Sequence, residues 1–67
     1  MVPDIDIWRA ANLLVKEHGE DAPIRAAMRT DAMSAKGDLD GYAVWRRIIR
    51  AVEELLATAP SPGTEVH

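Results

Sequence analysis

The chain contains no cysteine and no phenylalanine, and its aromatic residues are two tryptophans and one tyrosine among 67 residues. Without thiols, disulfides and thiolate metal sites are excluded. Two histidines, His18 and His67, leave too few donors for a structural metal site. No apolar run approaches the ~20 residues that span a bilayer. The opening Met-Val-Pro-Asp-Ile-Asp has neither a basic n-region nor an apolar h-region. The expectation is a cytoplasmic protein without a membrane partner.

An excess of positive charge is also missing. The formal net charge is -3, which opposes the basic footprint of generic nucleic-acid binding. There is no nucleophile elbow around either serine, Ser34 or Ser61, no glycine-rich phosphate loop and no cofactor fingerprint. The residue inventory points away from an enzyme, a cofactor or a small-molecule substrate.

At this length the chain forms one domain at most, near the lower limit for folding alone. Natural domains of this size add disulfides, a metal or a partner chain. With the first two excluded, stability rests on efficient helix packing or on self-association as a homodimer.

What is present is helical patterning. The first segment spans about Asp4 to His18. Ile7, Ala11, Leu14, Val15 and His18 fall on one face, with Trp8 on its flank. Asp4 is the expected N-cap, Asp6 suits the helix dipole, and Gly19 is the expected left-handed C-cap. The second segment spans about Pro23 to Lys36, with Pro in the first turn and Gly37 as the stop. One stripe is Ile24, Ala27, Met28, Asp31 and Ala35; a weaker one is Ala26, Thr30 and Met33. Two mildly apolar faces predict a middle layer touched on both sides. The third segment spans about Leu39 to Thr58, capped by Asp38. Tyr42, Trp45, Ile48, Ile49, Val52, Leu55 and Leu56 give it the broadest apolar arc, so it is expected to organise the core. Ala-Pro-Ser-Pro-Gly ends it, and residues 59–67 read as a disordered tail. The expected fold is all-α, a three-helix unit over residues 1–58 with short turns.

Four sets of residues invite a chemical reading. His18 stands near Glu17, Glu20 and Asp21, but a metal or acid–base site needs more converging groups, and a histidine closing a last helical turn already benefits from the negative helix end. Asp31 lies within an apolar stripe, so burial would demand a partner such as a Trp indole, the Tyr42 hydroxyl or an arginine. Asp38-Leu39-Asp40-Gly41 fails the calcium-loop pattern, which meets Tyr42 at its fifth position and Ile49 at its twelfth. Arg25, Arg29 and Lys36 on helix two, with Arg46 and Arg50 on helix three and Arg47 further round, would form a basic patch if those sides adjoin. Against a helix-turn-helix reading, Asp38 and Asp40 occupy the start of the would-be recognition helix.

Ile7-Trp8-Arg9-Ala10-Ala11, the turn His18-Gly19-Glu20-Asp21-Ala22, and Gly37-Asp38 followed by Ala43-Val44-Trp45-Arg46-Arg47-Ile48 together resemble a family of short helical proteins of unknown function common in alphaproteobacteria. The similarity covers most of residues 4–57. It implies a helical fold and a bacterial cytoplasm, and no activity. A looser similarity to one tetratricopeptide hairpin rests on Ala35-Lys36-Gly37-Asp38 and Tyr42-Ala43, but such arrays need about three repeats.

The function expected from the residues is a small protein–protein interaction or accessory module, self-associating or binding another protein. Its contact surface is sought at Trp8, Leu13 or Met33, rimmed by Arg25, Arg29, Arg46 and Arg50, because interfaces favour aromatics, Met and Arg. The alternative is a small nucleic-acid-binding regulator using the basic patch.

Overall fold

The computed structural model describes residues 2–58. It contains helix α1 (Asp4–His18), a 3-10 turn (Gly19–Asp21), helix α2 (Ala22–Lys36) and helix α3 (Leu39–Thr58). The all-α class and the three helical segments expected from the sequence are present, with α2 starting one residue earlier. Residues 59–67, read above as a tail, lie outside the described residues.

The punctuation of the chain explains these bounds. Gly19 has φ 57° and ψ -128°, a region essentially reserved for glycine, and its N–H donates to the Val15 carbonyl. Pro23 sits in the first turn of α2, where its missing N–H leaves no bond unmade. Gly37 has φ 75° and ψ 19° and closes α2 in a Schellman motif. Its N–H donates to Ser34 (3.0 Å), and the N–H of Asp38 donates to Met33 (2.9 Å). Asp38 then caps the next helix, its carboxylate accepting the Gly41 N–H at 2.8 Å. One residue thus ends α2 and starts α3.

The start of α1 departs from expectation. Pro3, not Asp4, is the N-cap residue and it offers no side-chain cap bond; its carbonyl accepts from Asp6 and Ile7. Asp4 is the first helical residue, and its carboxylate pairs with the guanidinium of Arg47 on α3. Because the helix begins at Pro3, the Asp4 carboxylate stands one position past the cap and is free to meet Arg47.

Helix α3 organises the core, as its apolar arc predicts. Both α1 and α2 pack chiefly on α3 and least on one another. The buried cluster joins Ile7 and Ala11 of α1, Ala22 of α2, and Ile48, Ala51 and Val52 of α3. Trp8, Leu14, Val15, Val44, Trp45, Leu55 and Leu56 pack around it, partly buried. Alanines in the seam let the helix axes approach closely, because interaxial distance follows the side chains at the contact.

Helix α2 is not a middle layer. Ala22, Ala26 and Thr30 are its buried residues, and Met33 is half-buried. The stronger stripe, Ile24, Ala27, Met28, Asp31 and Ala35, faces solvent. The helix therefore docks by its weaker face. Small side chains suit a helix tied to α3 by a two-residue turn, where Met33 already presses on Gly41: a Cβ at Gly41 would lie 2.7 Å from the Met33 sulfur. Thr30 is tolerated in the seam because its hydroxyl donates to the Ala26 carbonyl at 2.9 Å, so its own polar atom is matched.

Candidate interaction surface

The outward face of α2 combines side chains that the turn chemistry and the α3 seam leave no room for inside. Ile24 is 60% exposed and Met28 57%. Ala27, Asp31 and Ala35 are exposed beside them. At about 100° per residue, Ile24, Met28, Asp31 and Ala35 fall within roughly 60° of one another, on the side of the helix opposite Ala22, Ala26, Thr30 and Met33. Asp31, for which burial was one sequence-based expectation, is solvated and needs no buried partner. Its stripe was identified correctly as apolar, but α2 turns that stripe to water.

Arg25, Arg29 and Lys36, all exposed, lie between this stripe and the buried face, about 90–130° from the stripe's centre by helical geometry. Among the described residues the ion pairs are Arg47 with Asp4 and a loose contact of 4.0 Å between His18 Nε2 and Glu17 Oε1, so the three cations of α2 carry none. The opposite edge, at Ala27 and Ser34, is uncharged.

The arginines of α3 have contacts of their own. Arg46 lies over the Tyr42 ring, 5.7 Å from its centroid, within range of a cation–π contact. Arg50 lines a groove between α1 and α3 with Asp4, Ile7, Trp8 and Arg47. That groove holds about 310 Å³ and opens to solvent. Arg50 is thus on a side of α3 that meets α1. Arg47 also walls a second open groove of about 590 Å³, shared with Val2, Pro3, Asp6, Asp40 and Val44.

The apolar candidates sit in different surroundings. Trp8 is half-buried in the α1–α3 groove. Leu13 is 54% exposed, some 140° around α1 from Trp8 by helical geometry. Met33 is half-buried at the α2–α3 turn. Of the residues sought from the sequence, the structure brings together Arg25 and Arg29, and it adds Ile24, Met28 and Ala35 as their neighbours. Their periodicity was visible; the direction in which it faced was not.

His18 is half-buried at the end of α1, and no group of three or more His, Asp or Glu side chains among the described residues is placed to hold a metal. No helix among the described residues is long and apolar enough to cross a membrane. Comparison with protein-family models, curated proteins and solved structures gives no match.

Proposed function

We propose that this chain is a small protein–protein interaction module that works through the outer face of α2. The observation that carries this reading is the orientation of that helix. Ile24 and Met28 stay in water while alanines and a threonine are buried. A surface helix ordinarily directs its larger apolar side chains at the core. Clustered apolar side chains left outside mark contact surfaces. Ile24, Met28 and Ala35 recur at steps of four and seven, the spacing by which one helix anchors on another protein.

Self-association is the second form of this reading. It is favoured by the thinness of the core, in which Val52 is the largest fully buried side chain among the described residues. A second copy would supply burial that a body of this size lacks.

The test is solution mass by size-exclusion chromatography with light scattering, over an about hundredfold dilution series, since subunit association follows concentration. The parent is compared with the Ile24→Glu, Met28→Glu double variant. A dimer that the variant loses supports self-association through this face. A parent that stays monomeric, with a variant of unchanged melting temperature, leaves the face for a different protein. A variant that unfolds means that the face belongs to the fold, and the module reading fails. A salt-steep affinity for DNA or RNA at physiological salt would instead favour the nucleic-acid reading.

A further inference from the structure

We infer that the open groove between the start of α1 and the first turns of α3 takes a basic segment of another protein, one that sets a Lys or Arg beside an apolar side chain. Among the described residues none of α2 lines this groove, so it is a second surface, separate from the α2 face.

Val2, Pro3 and Asp6 supply one wall, and Asp40, Ala43, Val44 and Arg47 the other. From Asp40 the α3 residues recur at steps of three, four and seven, which sets all four on one face of the helix. Val2 and Val44 are half-buried and Pro3 and Ala43 exposed, so both walls present apolar surface to water. Asp6 and Asp40 are exposed and stand on opposite walls. Neither carboxylate has an ion pair or a hydrogen bond among the described residues. The cation of the groove, Arg47, is already held by the Val2 carbonyl and the Asp4 carboxylate. Two carboxylates are therefore left without a counter-charge above an apolar surface. Each also suits the positive end of its own helix. That role is filled whichever way the side chain points, and it does not account for both acids lining one groove with Val2 and Val44.

Other occupants answer one feature only. A neutral apolar segment would cover Val2 and Val44 but take water from two uncompensated carboxylates, which costs free energy. A nucleic acid or other polyanion would meet those carboxylates and a guanidinium that is already bonded. A free cation would leave the apolar walls wet. A Lys or Arg side chain answers both, because its stem lies along apolar surface while its head reaches a carboxylate. The groove volume of about 590 Å³ falls within the ~300–1,000 Å³ of ordinary binding clefts.

The experiment is an NMR titration of the full chain, following backbone amides. Two short peptides share alternating leucines; the remaining positions are Lys in one and Glu in the other. We expect the Lys peptide to shift the amides of Asp6, Asp40, Ala43 and Val44 and to bind roughly tenfold more tightly than the Glu peptide, with the advantage shrinking as salt rises. The Asp6→Asn, Asp40→Asn variant should lose the preference. Ala43→Lys, a change at an exposed helical position, should abolish binding of the Lys peptide at unchanged helix content, so that unfolding of the double variant would not decide the matter. Equal binding of both peptides at these amides would overturn the basic partner, and silence of the groove towards both would overturn the site; neither result touches the α2 face. Shifts of the same size with spermidine or calcium chloride alone would make the groove a site for free cations. Dilution-dependent shifts of the same amides without peptide would assign it to a second copy. Either assignment overturns the proposal.

Discussion

Arg47 donates a hydrogen bond of 2.8 Å to the carbonyl oxygen of Val2, across 45 positions of sequence. The same guanidinium pairs with the Asp4 carboxylate, so one half-buried side chain of α3 ties down the entry to α1. This tie substitutes for the side-chain cap that α1 lacks. Arg47→Ala should destabilise the protein by about 1–2 kcal/mol, since it removes a charged donor and the packing of its stem. Asp4→Asn should cost no more than about 0.5–1 kcal/mol, because the Asp4 side chain is largely solvated. Urea melts of the two variants provide the check; equal losses would mean that the bond to Val2 contributes nothing.

The inverted face of α2 makes an unusual pair of expectations. Ile24→Gln and Met28→Gln, each removing an apolar side chain, should shift stability by no more than about 0.5 kcal/mol. Ala26→Leu, which adds one, should destabilise by about 1–3 kcal/mol by overpacking the seam with α3. Thermal denaturation followed by circular dichroism distinguishes these, and the reverse order would place the wrong face inside.

Thr30 is buried with its hydroxyl satisfied within its own helix. Thr30→Val should therefore change stability by less than about 1 kcal/mol, because donor and local acceptor demand are lost with little change of shape. Thr30→Asp should prevent folding or cost several-fold more, by burying a charge without a partner. Chemical denaturation midpoints measure both.

Asp38 serves two helices. Asp38→Ala removes the bond to the Gly41 N–H and should cost about 1 kcal/mol, whereas Asp38→Asn should retain most of it. Hydrogen exchange at Gly41 gives the local readout: the amide should exchange faster in the alanine variant and remain slow in the asparagine variant.

At Gly19, φ is 57° with ψ -128°, so the space around it matters less than the backbone itself. No side-chain clash awaits a Cβ there. Gly19→Ala should still lose about 1–2 kcal/mol through conformational strain alone. A melting temperature equal to the parent's would mean that the turn relaxes to another conformation.

The sequence by itself determined the features that are settled within a turn or two of chain. Gly19, Pro23, Gly37 and Asp38 mark the ends of helices because φ preference, a missing N–H and a short carboxylate act on backbone groups at most four or five residues away. The apolar arc of α3 was broad enough to name the organising helix. Tertiary structure decided the questions whose answers depend on competition. Ile24 and Met28 form the more apolar stripe of α2, yet close approach to α3 selected Ala22, Ala26 and Thr30, since bulk holds helices apart while alanine lets them meet. Asp4 looked like a local cap, but the helix starts at Pro3 and the Asp4 carboxylate pairs with an arginine 43 positions away. Arg50 belongs to a groove that α1 and α3 build together, which no local pattern along α3 could show.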